Sequence, residues 1–357
     1  MTAKLLDFDT VALDFVREEN SGQQKPALEI IDQTQLPGEL EFLFLTELEE
    51  IREAIYLLKV RGAPAIGVAA AIGIYVIADR IETQDFSEFE AEFKAARKRL
   101  ASARPTAVNL SWALDRMADV VEQNRDREVQ TVKGLLREAA LKIRDEDVAA
   151  CRKIGEYGLS LIKDGDGILT HCNAGQLATV RYGTALAPLH LGREQGRSFR
   201  VYTCETRPLL QGARLSAFEL SAAGIDTTLI CDNMASAVMK KGWVQAVFAG
   251  CDRMAANGDA CNKIGTSALA ILAKHYGIPF YICLPFSTVD MNIKTGADIV
   301  IEERDPREVT EMWYREPMAP AGVKVFNPAF DVTDHELITA IITERGIIRP
   351  PFEEGLR

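Results

Sequence analysis

Gly167-Ile-Leu-Thr-His171-Cys172-Asn173-Ala-Gly175 and Val247-Phe-Ala-Gly250-Cys251-Asp252-Arg253, the second running on through Asn257-Gly258-Asp259-Ala-Cys261-Asn262-Lys263-Ile-Gly265-Thr266, decide the fold of this chain. In each, a short apolar run with the character of a buried strand ends in a Gly-containing polar loop and then enters a helical pattern. In an open α/β sheet, that crossing at the carboxyl end of a strand is where ligands bind. Cys172 and Asp252 are therefore expected to face one another across a cleft.

Around these stretches, from about Leu159 onward, apolar runs alternate with amphipathic segments. Strands are expected at Gly167–His171, Phe199–Cys204, Asp226–Cys231, Val244–Gly250, Pro279–Leu284 and Ile299–Glu302. Helices are expected at Leu177–Gly192, Gly212–Ala223, Met234–Lys240 and Ile264–Tyr276. Such alternation marks βαβ units, so residues 146–357 should form a Rossmann-like, doubly wound parallel-sheet domain. Residues 1–145 lack it. There, strands are expected at 11–16, 27–32 and 40–45, and helices at 47–58, 86–100 and 109–145, which together describe a smaller α+β domain. No G-x-G-x-x-G follows the first strand of the second domain and no G-x-x-x-x-G-K-[ST] occurs, so nicotinamide and P-loop chemistry have little support.

Charge and composition narrow the partners. A net charge of −11 argues against nucleic acid, whose affinity comes mostly from Lys and Arg neutralising phosphates, yet leaves room for one small phosphate. The longest apolar run, Ala63 to Ala78, is interrupted by Pro64, Gly67 and Gly73, so no membrane partner is expected. The first nine residues carry acids where a signal peptide needs bases, which predicts a soluble, cytoplasmic protein. Seven cysteines without a C-x-x-C pair suit reduced thiols. With four histidines, of which His190, His275 and His335 stand alone on helical stretches and suit the surface, a His-based metal site is not expected.

Polar residues follow the expected strand ends one after another: Cys172-Asn173, Glu205-Thr206-Arg207, Asp232-Asn233, Asp252-Arg253, then Ser287 and Asp290. Cys172 is either a small buried thiol or a reactive one whose pKa is lowered by a helix amino terminus beyond Gly175. Asp252, ending an apolar strand, is either an acid/base group or a partner of Arg253. Asn262-Lys263 is read as starting a helix, where a lysine is misplaced unless an anion sits with it, so Lys263 is a candidate phosphate ligand. Arg61-Gly62-Ala63 sets a cation before a Gly-Pro turn that opens a nearly uncharged helix. Arg104 sits at a second turn, and Gln211 either bonds a sugar hydroxyl or caps a helix.

Together these stretches resemble the methylthioribose-1-phosphate isomerase family, aldose–ketose isomerases of methionine salvage. The resemblance runs through Arg61-Gly-Ala-Pro-Ala-Ile-Gly-Val, Arg104-Pro-Thr-Ala-Val-Asn-Leu, Thr170-His-Cys-Asn-Ala-Gly175, Glu205-Thr-Arg-Pro-Leu-Leu-Gln-Gly-Ala-Arg214, Asp232-Asn-Met-Ala, Gly250-Cys-Asp-Arg253, Asn262-Lys-Ile-Gly-Thr266 and Asn327-Pro-Ala-Phe-Asp331. It implies that Cys172 is the catalytic cysteine and Asp252 the catalytic acid/base. By the same resemblance Arg61, Gly62, Ala63, Arg104, Gln211, Asn262 and Lys263 contact a phosphorylated pentose, no metal or organic cofactor takes part, and the protein is a homodimer. Thr203-Cys204 and Cys251 depart from the family by standing where Ala is expected.

Two relatives share the pattern. The regulatory subunits of translation initiation factor 2B lack the paired Cys and Asp, which favours an enzyme here, whereas ribose-1,5-bisphosphate isomerase keeps both. The long Glu205–Arg214 and Arg104–Leu110 matches favour methylthioribose. The chemistry needs an acid/base pair in a dry pocket, because the anomeric oxygen is esterified and the ring cannot open in the ordinary way.

Overall fold

The computed structural model describes residues 9–18, 22–105 and 107–357. Eight of the nine amino-terminal residues whose charge bears on targeting, and Thr106 of the Arg104 motif, lie outside them. The described chain divides into two compact units, one made of the residues up to Cys151 with Gln176–Gly183, the other of Arg152–Gly175 and Thr184–Arg357.

In the first unit an antiparallel meander of β1 (Val11–Arg17), β2 (Gln24–Ile31) and β3 (Phe42–Leu45) is followed by helices α1 (Leu48–Tyr56), α2 (Ala63–Arg80), α3 (Phe86–Ala101), α4 (Val108–Gln123) and α5 (Val129–Leu159), the last of which belongs to this unit as far as Cys151. Helix α2 is long and apolar enough to cross a membrane, but every residue from Ala65 to Val76 is buried in this unit's core. A helix apolar all round belongs in an interior. Residues 109–145, expected as one helix, are two. The turn between them spans Asn124 to Glu128, a run of polar residues with nothing to bury.

The second unit is built on a seven-stranded sheet. Along the chain come β4 (Gly167–Thr170), α6 (Ala187–Glu194), β5 (Arg200–Cys204), a π-helical turn (Gly212–Ser216) leading into α7 (Ala217–Ala222), β6 (Asp226–Ile230), α8 (Ala235–Lys240) and β7 (Ala246–Ala249). Then follow β8 (Arg253–Ala255), β9 (Ala260–Lys263), α9 (Thr266–Tyr276), β10 (Phe280–Cys283), β11 (Val289–Asp290), β12 (Phe330–Thr333), β13 (Ala340–Thr343) and β14 (Gly346–Ile348). The large sheet has the order β14-β13-β10-β7-β4-β5-β6, parallel except for the β13–β14 hairpin. From β4 the chain winds out through β5 and β6, then returns to the other side of β4 and winds out through β7, β10 and β13. The order reverses between β4 and β7, which is the switch point where such sheets bind ligands. This is the expected α/β class.

Three expected elements are corrected. Ile299–Glu302 is irregular, and the place beside β10 belongs to Ala340–Thr343. Leu177–Gly192 is not a continuous helix: a short 3₁₀ turn at Gln176–Ala178 gives way to irregular chain before α6, with Tyr182 at φ 67° and Gly183 at φ 82°. Two successive left-handed residues are incompatible with a helix. Asn262 and Lys263 end strand β9 rather than starting a helix; β8, β9, β11 and β12 form a second sheet of order β11-β8-β9-β12 that the sequence pattern does not foretell.

Candidate active site

The two central strands bring Cys172 and Asp252 onto neighbouring turns. Thr170 pairs with Phe248 in the β4–β7 register. Cys172 lies two residues beyond the first and Asp252 four beyond the second. The turns touch: a Cβ placed on Gly250 would sit 2.7 Å from the Ala174 methyl. The turns that carry Cys172 and Asp252 thus lie side by side at the switch point.

Cys172 is nearly buried and has φ 61°, a left-handed conformation that costs a non-glycine residue on the order of 1–2 kcal/mol. Its backbone is held from both sides. The Cys172 N–H donates to Thr206 Oγ1 at 2.8 Å, and Ser216 Oγ donates to the Cys172 carbonyl at 2.7 Å. Thr206, itself at φ 68°, donates its hydroxyl to the Cys204 carbonyl at 3.0 Å and its N–H to Asp232 Oδ1 at 2.7 Å. The Arg207 N–H donates to the other Asp232 oxygen at 2.8 Å. Asp232, at the end of β6, therefore clamps the turn after β5, which in turn clamps Cys172. The helix terminus expected to activate Cys172 is not there, because Gly175 leads into the three-residue 3₁₀ turn and no longer helix.

Burial raises the pKa of the Cys204, Cys251 and Cys283 thiols and pushes that of Cys261 up to about 12, while the Glu205 carboxylate raises that of Cys231. Asp252 is half-buried, and its N–H donates to the Cys261 carbonyl at 2.9 Å, tying its turn to β9.

Gln211 is 6% exposed and its side-chain oxygen is buried without a hydrogen-bond donor. Buried acceptors are nearly always satisfied, so this oxygen has capacity for one further donor. Asn262 is buried and its amide donates to Thr266 Oγ1 at 3.0 Å. The Lys263 ammonium lies 4.5 Å from the centre of the Phe330 ring. No phosphate is needed to satisfy the amino terminus of α9: the Asp331 carboxylate accepts from Gly265 N–H at 2.7 Å and Ser267 N–H at 3.2 Å. The helix part of the expected phosphate site is thereby corrected, and the cation remains.

Arg61, Gly62, Ala63 and Arg104 belong to the first unit. Arg61 and Arg104 are half-buried. Gly62 precedes α2 at φ 91°, with the Ala178 backbone 2.5 Å from where a Cβ would stand, so only glycine fits there.

His171, which the sequence left idle, is buried, and its Nε2 donates to the Ile264 carbonyl at 2.8 Å. Because a carbonyl only accepts, the other nitrogen carries the lone pair, and burial lowers the ring's pKa. That Nδ1 is without a hydrogen-bond partner and lies within 4.8 Å of Cys204 Sγ and an Asp232 oxygen. Among the described residues this trio offers three side-chain atoms a metal ion could use, although both Asp232 oxygens already accept backbone N–H groups. His190, expected at the surface, is wholly buried.

Comparison with known proteins shows the family. Residues 59–350 match the model of the initiation factor 2 subunit family. A methylthioribose-1-phosphate isomerase of Symbiobacterium thermophilum is 65% identical over 331 residues, 93% of this chain and 92% of its own. A 5-deoxyribose 1-phosphate isomerase of Petrotoga mobilis is 57% identical over 93% of this chain and 96% of its own. Among solved structures, the 5-methylthioribose 1-phosphate isomerase of Pyrococcus horikoshii OT3 superposes with a TM-score of 0.89 at 44% identity, covering 98% of this chain and 94% of that one. The translation initiation factor eIF-2B, subunit delta, from A. fulgidus gives 0.86 at 44% identity, with 97% of each chain covered. The chain belongs to the initiation factor 2 subunit family and, within it, groups with relatives called methylthioribose-1-phosphate isomerase.

Proposed function

We propose that the protein is an aldose–ketose isomerase that converts 5-methylthioribose 1-phosphate to 5-methylthioribulose 1-phosphate, using Cys172 and Asp252 as its acid/base pair, as a cytoplasmic homodimer. The observation that carries the proposal is the pairing of Cys172 and Asp252 on touching turns at the switch point. We assign Asp252, beyond the end of β7, to donate a proton to the weakly basic ring oxygen, which requires it to enter the cycle as the neutral carboxylic acid. That proton transfer breaks the bond between C1 and the ring oxygen and leaves C1 electron-poor. Hydrogen then passes from C2 to C1 while the C2 hydroxyl gives up its proton and becomes the ketone. As thiolate, Cys172 either takes the C2 hydroxyl proton while C2–H passes to C1 as hydride, or takes the C2 proton and returns it to C1 while Asp252, ionised by its donation, takes the hydroxyl proton. The count of atoms and protons is unchanged, as an isomerisation requires. Gln211, with its orphan oxygen, holds a sugar hydroxyl, and Arg61, Arg104, Asn262 and Lys263 serve the phosphate and the sugar.

A second substrate, 5-deoxyribose 1-phosphate, is favoured by the Petrotoga relative at 57% identity. Both sugars carry an uncharged group at C5, whereas ribose 1,5-bisphosphate carries a dianion there. The test is incubation of the purified protein with each of the three sugars while ketose formation is followed. Turnover of the methylthio and deoxy sugars, with the methylthio sugar at the higher kcat/KM, is expected. Binding without turnover of any would instead indicate a non-catalytic, initiation factor 2B-like subunit.

A further inference from the structure

We propose that Glu219 is a positioning residue for Cys172, acting through a buried polar relay behind the turn after β4. This rests on the assignment of Cys172 above. Glu219 on α7 is fully buried, and its two carboxyl oxygens serve two partners. Oε1 meets His190 Nε2 of α6 at 3.1 Å, and Oε2 accepts from the Asn173 amide at 3.0 Å. The same amide donates to Ser216 Oγ at 3.1 Å, and Ser216 donates to the Cys172 carbonyl at 2.7 Å. His190, Asn173 and Ser216 are buried as well.

The turn is shaped around this carboxyl group. A Cβ on Gly175 would stand 1.6 Å from Glu219 Oε1, so the residue three places after Cys172 must be glycine for Glu219 to be there. Ser216 reaches the carbonyl from the π-helical turn Gly212–Ser216, a widened segment of the kind found at functional sites. Burying an ionisable side chain and a histidine in a core is costly unless they are paired and hydrogen-bonded, as Glu219 is to His190 and Asn173. This pair lies behind the left-handed Cys172, a conformation that costs a non-glycine residue energy. Without the relay, the Ser216 hydroxyl that donates to the Cys172 carbonyl is no longer held from behind, and the residue can relax toward an ordinary backbone conformation. The thiol then moves, and a displacement of about 1 Å at a reacting group lowers turnover by about 10²-fold.

The test compares Glu219→Leu, which deletes both acceptors at similar volume, with Glu219→Gln, which keeps an oxygen for Asn173. Ser216→Ala removes the bond onto the Cys172 carbonyl and the one from the Asn173 amide, leaves Glu219 in place, and serves if Glu219→Leu fails to fold. Two readouts are taken: kcat and KM for the sugar phosphate, and the rate of iodoacetamide labelling at Cys172 measured on its own peptide. Glu219→Leu is expected to lower kcat by about 10- to 100-fold with KM changed less than about threefold, and to change the Cys172 labelling rate at least about fivefold. Ser216→Ala should show the same split more weakly, and Glu219→Gln should recover most of both losses. Folded Glu219→Leu or Ser216→Ala protein with wild-type labelling of Cys172 would overturn the proposal. Labelling does not depend on turnover, so it decides the positioning role even if Cys172→Ser proves active and the catalytic assignment falls.

Discussion

Replacing Gln211 by Met is expected to stabilise the protein while slowing it. The side-chain oxygen of Gln211 is buried and has no hydrogen-bond donor. An unsatisfied buried polar atom costs about 1–3 kcal/mol, and Met fills a similar volume without one. Part of that cost is recovered on substitution, so unfolding should become harder by about 1 kcal/mol, a rise of about 2–4 °C in Tm for a unit of this size. If the orphan is there to receive a sugar hydroxyl, the same change leaves that hydroxyl unpaired in the complex. The penalty of about 1.4–2.7 kcal/mol corresponds to a fall of about 10- to 100-fold in kcat/KM. Thermal unfolding and steady-state kinetics on the same preparation measure both signs. A variant that melts lower than the parent and turns over normally would refute the argument, because Gln211 would then be a structural amide.

Cys172→Ser and Asp252→Asn should each lower kcat by about 10²- to 10⁴-fold, with circular dichroism and melting unchanged. Retention of more than about a tenth of the parent kcat would remove that residue from the acid/base pair. Lys263→Ala is expected to raise KM about tenfold and to weaken inhibition by inorganic phosphate, with kcat little altered, since the ammonium is assigned to binding; unchanged KM and phosphate inhibition would place it outside the site. Asp147, whose carboxyl group accepts from the Val180 N–H, has its pKa pushed from 3.8 to about 7, chiefly by burial. A raised folded pKa means that the stabilisation is present below pH 3.8 and is lost as the pH climbs towards 7. The full displacement corresponds to about 4 kcal/mol, and partial access of solvent to the residue reduces this to about 2–3 kcal/mol. Asp147→Asn, which keeps the acceptor, should therefore stabilise the protein in urea titrations at pH 8 and not at pH 4. Equal effects at the two pH values would contradict it.

The large sheet was legible because strands buried on both faces read as unbroken apolar runs, as Ile168-Leu169-Thr170 and Ala246-Val247-Phe248-Ala249 do. The second sheet was not, since Arg253–Ala255 and Ala260–Lys263 are three and four residues long and carry charges. Its partner strand Phe330–Thr333 lies far along the chain, and local pattern holds no trace of such pairing. For the same reason Lys263 looks in sequence like the opening of a helix, and the capping carboxylate of Asp331 is invisible there. Cys172, Asp252, Gln211 and Lys263 could be picked out because each stands at an abrupt change of pattern. Glu219 and His190 could not: on α7 and α6 they look like ordinary polar positions on an outer helix face, and only three-dimensional packing reveals that both are enclosed.

Asp331 holds the amino terminus of α9 from a position far downstream of the residues it braces. During synthesis the ribosome releases β4 through α9 well before Asp331 emerges, and β13, which flanks β10 in the main sheet, comes later still. A growing chain can thus pair β4 with β5 and β7 while the Lys263–Gly265 turn still lacks its brace. Competence for catalysis should consequently arrive in one step near the end of translation. A message cut short before Asp331 would yield a chain with most of its strands and an unbraced Lys263–Gly265 turn.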